Sequence, residues 1–360
     1  MVPYGMFSAE RSPIVPSGPF SDNYRAQNAV QMLSVAMWTS QMLHTAVELG
    51  IPEAMPKDGG ASVPALADLT GTNPDTLGRL LRALSANGVF ALAEDGRYVH
   101  TEQSLVLRKD HPDTLHHWVL VYGAHWVWKS LAGMTEAVRT GREAFQAEFG
   151  RPLWAYLENE PADQLLFQQG MTEFSRLNAQ PLADALDLRD ARTVVDVAGG
   201  QGGVLSAVLD RNPDVDGVLF ENKTVLESLH ADPRTAQLAE RFRLVAGDAL
   251  EAVDCPADIY LLGHFLHLFE DDGALRVLTN CAAAAPAGAR IIALEWVIAD
   301  GPKDTFGKML DLMIFCVTQG RERTEDEFRA LFERAGLRWA GITPTTCDMS
   351  LIEGVVPPAS

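Results

Sequence analysis

The run Val194-Val195-Asp196-Val197, breaking into Ala198-Gly199-Gly200-Gln201-Gly202-Gly203, constrains the fold of this chain more than any other stretch. A short β-branched run without polar alternation reads as a strand buried on both faces, as in a parallel sheet covered by helices. The glycines at its end let backbone pass close to a ligand with no Cβ in the way. The helix expected from about Val204 then offers its free N–H groups to that ligand. Alone, such a junction fits several nucleotide-type cofactors.

From Arg192 onward, strand-like and helix-length segments alternate. Strands are expected at 193–197, 217–220, 242–246, 259–262, 290–295 and 339–343, which predicts a doubly wound, Rossmann-like α/β sheet. Upstream, Val30, Met32, Leu33, Ala36, Met37, Met42, Leu43, Ala46, Val47 and Leu49 recur at near-helical spacing, predicting a helix over 28–49 buried against something large. Residues 62–102 read as short helices, a Thr70-Gly71 break, a helix capped at Asn73 or Asp75, and a hairpin turning at Asp95-Gly96, the pattern of a winged helix. Between 113 and 186 the chain reads as helical and carries Trp118, Tyr122, Trp126, Trp128, Trp154, Tyr156, Phe167 and Phe174, which read either as a core or, for several of them, as the lining of a pocket for a flat substrate. The resulting division is a loose arm over 1–24, a mainly α-helical, winged-helix-like domain over 25–105, a helical linker contributing to a substrate pocket over 106–187, and the α/β domain over 188–360.

Composition excludes several function classes. With 360 residues, 47% hydrophobic and 21% charged, the chain can bury a substantial core. Its formal charge of −19 repels phosphates and anionic lipid. The winged segment sets Arg79, Arg82 and Arg97 against Asp68, Asp75, Glu94, Asp95 and Glu102, so neither nucleic acid nor membrane is an expected partner, and a ligand-sensing DNA-binding regulator is disfavoured. The first twenty residues lack the basic start and apolar core of a signal peptide, and no apolar run approaches the ~20 residues that span a bilayer. Cys255, Cys281, Cys316 and Cys347 are scattered without paired spacing, which argues against a zinc site or disulfide framework and for a reducing cytoplasm.

Three acidic residues sharpen the glycine turn. Phe220-Glu221 closes the second strand about twenty residues on, where a carboxylate meets a ribose diol, and an acid there favours an unphosphorylated ribose. Ala246-Gly247-Asp248-Ala249 ends the third strand, with Asp248 placed to accept from an adenine amino group. Asp196, Glu221 and Asp248 together repel pyrophosphate and favour a cationic cofactor. His264 and His267 are spaced HxxH, but at a strand end that spacing does not put both rings on one face. The nearest acids in sequence, Glu270, Asp271 and Asp272, read as a solvated turn, so no metal is expected and His264 reads as an ordinary hydrogen-bonded histidine. His111, His116 and His117, beside Asp110 and Asp113, read as solvated surface.

In chain order, Asp196-Val-Ala-Gly-Gly-Gln-Gly, Glu221, Gly247-Asp248 and Leu262-Gly-His-Phe-Leu-His267 resemble the S-adenosylmethionine-dependent methyltransferases, specifically the plant-type and bacterial small-molecule O-methyltransferase family. The segment with Leu80-Leu81-Arg82-Ala83-Leu84 and Gly88-Val89-Phe90 is similar to that family's dimerisation domain, so the resemblance spans nearly the whole chain and implies a homodimer. It implies methylation of a hydroxyl on an aromatic or polyketide-like secondary metabolite. His267 is the implied base, flanked by Glu295, in Leu294-Glu295-Trp296-Val297, and by Glu325, in Glu322-Arg323-Thr324-Glu325. The implied cofactor positions are Asp196, Ala198, Gly199, Gly200, Gly202, Glu221, Gly247, Asp248, Ala249, Gly263 and Ser175. On the substrate side the resemblance places Phe167, Met171, Met309, Leu312, Met313, Cys316, His264 and Leu268.

Methyl transfer from a sulfonium is an in-line displacement, in which orientation supplies up to ~7–11 kcal/mol. A phenol of pKa ~10 facing a histidine of ~6.5 leaves proton transfer uphill by about 3.5 units, or roughly 5 kcal/mol, and a carboxylate beside the imidazole narrows that gap. The chain departs from the family where it carries His267-Leu268-Phe269 in place of the common His-Asp-Trp, Ala198 in place of the first glycine, Gly263 in place of a polar or basic residue, and Asn222-Lys223 in place of Leu-Pro. Leu268 keeps open an alternative in which the same scaffold performs C-methylation or a non-methylating hydroxylation or rearrangement.

Overall fold

The computed structural model describes residues 22–188, 191–229, 242–299, 301 and 305–358. The expected arm therefore lies outside the described residues except for 22–24. The chain divides into two compact units, Met1–Trp128 with Leu165–Glu173, and Lys129–Gln164 with Phe174–Ser360. The segment expected as a helical linker over 106–187 is shared between them.

In the first unit, the helix expected over 28–49 is two helices, α1 (Asp22–Ser34) and α2 (Ala36–Glu48), separated where Val35 leaves helical geometry at φ −107° and ψ 4°. Of α2 only Ala46 and Val47 are buried. Val30, Leu33, Met37 and Trp38 are each more than half exposed, so within a single chain the expected burial of this face is not met. Ser62 caps α3 (Val63–Thr70), which ends at Gly71 with φ +64°. Asn73 rather than Asp75 caps α4 (Pro74–Ala86), its Oδ1 accepting the N–H groups of Asp75 and Thr76. Leu77, Leu81 and Leu84 of α4 join Ile51, Leu66 and Phe90 in one core. The hairpin of β1 (Phe90–Leu92) and β2 (Tyr98–His100) follows as the wing. Of the stretch expected as solvated surface, Asp110 and Asp113 are exposed and His111 and His117 partly so, but His116 is not: it opens α5 (His116–Gly123), is 2% exposed and bonds the Leu107 carbonyl, while His117 Nδ1 lies 2.6 Å from Glu173 Oε1. Glu173 belongs to the long helix α6 (Pro161–Ala185).

The second unit is built on a seven-stranded sheet of order β5-β4-β3-β6-β7-β9-β8. Strands β3 (Thr193–Val197), β4 (Asp216–Glu221), β5 (Arg243–Ala246), β6 (Ile259–Gly263) and β7 (Arg290–Glu295) are parallel, whereas β8 (Arg338–Pro344) and β9 (Ser350–Val355) form an antiparallel hairpin on the β7 edge. No strand is expected at β9 from the sequence. Helix α7 (Gly203–Arg211) covers one face, on a core with Val194, Leu219, Leu261 and Ile292. Helices α8 (Asp271–Ala284) and α10 (Glu325–Arg334) contribute to the core of the other face with Val195, Tyr260 and Ile291, while α9 (Thr305–Thr318) adds Leu310 and Ile314 to the first. Adjacent residues of one strand thus enter opposite cores, which is why these strands read as unbroken apolar runs. The strand succession reverses between β3 and β6, so the crevice lies beyond the carboxyl ends of those two strands. No helix among the described residues is long and apolar enough to cross a membrane.

Candidate active site

The turn after β3 is left-handed at Ala198 (φ +56°), Gly200 (+58°) and Gly202 (+74°). Two of its glycines are forced by close neighbours. A Cβ on Gly199 would lie 2.3 Å from the Asp196 carboxyl, and one on Gly202 would lie 2.6 Å from the Phe242 ring. Ser175 stands at the same turn, its Oγ 3.3 Å from the Cβ position of Gly203. Asp196 is 2% exposed, and its Oδ2 is buried without a hydrogen-bond partner. Burial, reinforced by the Glu221 charge, pushes Asp196 up to about 7. Glu221 accepts the Gly200 N–H on Oε2 (3.0 Å) and the Asn222 N–H on Oε1 (2.7 Å), and burial raises it while those N–H bonds pull it back.

The third strand end differs from the expectation. Asp248 is exposed, and its Oδ1 caps a turn by accepting the Leu250 N–H at 2.8 Å. Ala249 is 5% exposed, its side chain within an apolar core rather than at the crevice, because the chain turns inward there to seat Val253 and Cys255. Gly247 fits against Phe220, whose ring would sit 2.3 Å from a Cβ. Gly263 closes β6 with room beside Leu294, 3.6 Å from a Cβ built there.

Beyond β6, a single 3-10 turn (Leu266–Leu268) carries His267. Glu295, the last residue of β7, is fully buried, and its Oε1 accepts the N–H groups of Phe265, Leu266 and His267 at 3.0, 2.9 and 3.3 Å. The His267 Nδ1 lies 2.7 Å from Glu322 Oε1 and 3.8 Å from Glu295 Oε2. Glu322 is fully buried, and its N–H donates to Asp311 Oδ1 at 2.8 Å. Arg323, also fully buried, donates to the carbonyls of Leu266 (3.1 Å) and Phe269 (2.9 Å) and to Asp271 Oδ1 (3.0 and 3.1 Å). The Arg321 N–H donates to the His267 carbonyl. The turn bearing the histidine is therefore fastened from both sides.

Glu325 does not reach His267. Thr324 is the N-cap of α10, in a capping box with Glu327, so Glu325 opens the helix at the surface and pairs with Arg329 at 3.1 Å. The carboxylate in that place is Glu322, on the extended segment before the cap. The Thr324-x-x-Glu327 box is the sequence signal that separates the two. Burial alone depresses the His267 imidazolium; Glu295 and Glu322 overcome it and lift His267 to about 9. Burial raises Glu295 to about 7 against the pull of His267.

His264 also differs from the expectation, since neither of its ring nitrogens has a partner. Its ring centroid lies 6.0 Å from that of His267, 4.8 Å from Phe174 and 5.2 Å from Trp296. The acids that approach His267 are not Glu270, Asp271 and Asp272 but Glu295 and Glu322, and among the described residues His267, Glu295 and Glu322 form the one group with ligand atoms close enough, within 4.8 Å, to hold a cation. The 2.7 Å contact of Nδ1 with Glu322 is also that of a charge-assisted hydrogen bond.

Of the other substrate-side positions, Met309 and Leu312 are exposed on α9, and Met313 and Leu268 pack against the α7-side core. Cys316 is fully buried with Ala137 and Ala144, so it is a packing residue: its face of α9 meets the helices Met134–Thr140 and Ala144–Phe149. Phe167 and Met171 lie on the Leu165–Glu173 stretch of α6, within the first unit, where the Phe167 ring is 6.3 Å from Trp126.

Residues 128–338 match the model of the O-methyltransferase domain, and residues 32–110 that of the O-methyltransferase dimerisation domain. The chain belongs to the S-adenosylmethionine-dependent O-methyltransferase family. It is similar to the phenazine O-methyltransferase PhzM of Lysobacter antibioticus, 31% identical over 92% of this chain and 98% of that one. The mitomycin biosynthesis 6-O-methyltransferase of Streptomyces lavendulae is 34% identical over 87% and 89%. A relative with another chemistry, the aclacinomycin 10-hydroxylase RdmB of Streptomyces purpurascens, is 34% identical over 82% of each chain. Among solved structures, the calicheamicin-biosynthesis methyltransferase CalO1, in its S-adenosylhomocysteine-bound form, superposes with a TM-score of 0.81 at 31% identity over 94% of this chain and 100% of that one. The turn fits the family's cofactor: it combines a backbone cradle with an unpartnered buried carboxylate oxygen at Asp196, suited to a cationic ligand.

Proposed function

We propose that the protein methylates a hydroxyl of an aromatic or polyketide-like secondary metabolite, with His267 taking the hydroxyl proton on Nε2. The observation that carries this is the clamp on Nδ1: with Glu322 at 2.7 Å on that atom, Nε2 is the nitrogen left for substrate. Bound S-adenosylmethionine supplies an electrophilic methyl group on a sulfonium. Asp196, Glu221 and the 198–203 backbone would hold it, with Ser175, Gly247, Asp248 and Gly263 at the margins of that site. Glu295 fixes the turn that aims His267, and Glu322 balances the positive charge that the imidazole acquires. Met309, Leu312, Met313 and Leu268 are the proposed substrate side. The exposed apolar face of α1 and α2 suits a homodimer, and four free cysteines suit a reducing cytoplasm.

His267→Gln should reduce turnover, measured as methyl label passing from cofactor to product, by roughly 10²–10⁴-fold, while the affinity for S-adenosylhomocysteine stays unchanged. Retained turnover overturns the assignment. A second reading, cofactor-dependent chemistry without methyl transfer, draws on Leu268 and on the similarity to a hydroxylase. A product that is altered but carries no label supports it.

A further inference from the structure

His264 is the polar group at the crevice that the reaction above leaves unused. It follows β6 in the left-handed conformation, φ +52°, which few L residues adopt. Phe174 and Trp296 flank its ring, and both ring nitrogens, like the Trp296 Nε1, are closed off from solvent with no partner. An unmet buried polar group is costly, so an imidazole held this way is one whose partner arrives with a ligand. Burial, and secondarily the His267 charge, keeps it neutral, lowering it to about 3, so it offers one donor and one acceptor. The charged groups near it, His267, Glu295 and Glu322, are engaged with one another. His264 therefore stands one ring away from the base as a second, uncharged polar point.

We propose that His264 is a specificity-determining residue that hydrogen-bonds an oxygen adjacent to the methylated hydroxyl, so that the preferred substrates are aromatic rings bearing ortho or peri oxygen pairs. This rests on the hydroxyl-methylating reading above. A neighbouring carbonyl accepts from the ring N–H, and a neighbouring hydroxyl donates to the other nitrogen, so one imidazole serves either. A site built to bond a substrate oxygen rejects an analogue lacking it far more strongly than an apolar pocket rejects a missing methylene.

The test uses the full chain with S-adenosylhomocysteine bound and two probes, a naphthalene with hydroxyls on adjacent carbons and the matching naphthol with one. Calorimetry should show the dihydroxy probe binding at least about tenfold more tightly to the wild type. His264→Phe should level the two. His264→Gly, which relaxes the left-handed backbone and removes the ring, should level them as well if the phenylalanine variant folds poorly. Affinity for S-adenosylhomocysteine should be unchanged in both variants. Equal binding of the two probes by the wild type, including no binding of either, overturns the proposal, as does discrimination that survives both substitutions. Discrimination with no label transferred from methyl-labelled cofactor would leave the His264 assignment standing and overturn the hydroxyl-methylating reading instead.

Discussion

The Nδ1 atom of His267 lies 2.7 Å from Oε1 of Glu322, a residue fifty-five positions further along the chain. The contact fixes the tautomer: Nδ1–H donates its hydrogen bond to the carboxylate, which leaves the lone pair of the neutral ring on Nε2. It also changes the energetics of the proposed step. With His267 near 9, the gap to a phenol of about 10 is roughly one unit, or ~1.4 kcal/mol, in place of the roughly 5 kcal/mol an unsupported histidine would face.

Glu322→Gln should therefore lower kcat/KM by about a hundredfold or more, because the amide can present its NH₂ to Nδ1 and favour the wrong tautomer. Glu325→Gln should stay within about twofold of wild type, since Glu325 touches only Arg329 at the surface. Steady-state kinetics on the pair checks this; a loss at Glu325 with none at Glu322 would reverse the assignment.

The pH dependence follows from the same pair. The basic form of His267 should grow about tenfold per pH unit up to about 9, and kcat/KM should rise with it. Stability moves the other way. The folded chain holds a proton on His267 that an unfolded histidine, at 6.5, has released, so this contribution is complete below 6.5 and fades as pH rises through 9, at up to ~1.4 kcal/mol per unit. Calorimetric unfolding from pH 6.5 to 9 should show this slope in wild type and lose it in His267→Gln; identical slopes would remove the ion pair from the account.

The parts of this architecture that depend on local pattern were legible from the chain. Buried runs such as 194–197 and the glycine turn that follows announce parallel strands and a cofactor turn, and Asn73 announces a helix start. The parts that depend on distant pairing were not. Glu322 and Glu325 are both acids near the right place in sequence, and the cap at Thr324 decides which of them turns inward. His264 reads as an ordinary histidine because nothing in its neighbourhood in sequence reveals that Phe174 and Trp296 enclose it. The strand at Ser350–Val355 escapes notice because it is an antiparallel addition to an edge of a sheet whose other members announce themselves by alternating with helices.

Arg323 should prove a stability residue whose loss also misplaces the base. It is fully buried and spends its donors on the Leu266 and Phe269 carbonyls and on Asp271. Arg323→Met leaves the Phe269 carbonyl without its Arg323 donor, at about 1–3 kcal/mol, while the Leu266 carbonyl keeps the Phe269 N–H, so chemical denaturation should show a loss on that order. Turnover in the surviving folded fraction should fall with little change in cofactor affinity. A variant as stable and as active as wild type would mean that Arg321 and Glu295 suffice to hold the turn.

Ala198 offers the opposite test, a substitution expected to stabilise. It sits at φ +56° in the turn that begins beneath the cofactor site, a conformation costing an L residue roughly 1–2 kcal/mol. Glycine pays no such strain there but is freer in the unfolded chain, which offsets about 0.4–1 kcal/mol of the gain. Ala198→Gly should accordingly raise unfolding stability by a few tenths to about 1 kcal/mol with cofactor affinity preserved, whereas Ala198→Val should lower both, because a β-branched residue resists the left-handed region more strongly. Equilibrium denaturation and S-adenosylhomocysteine titration of the two variants decide the matter. A destabilised glycine variant would mean that the turn is held left-handed without strain at this position.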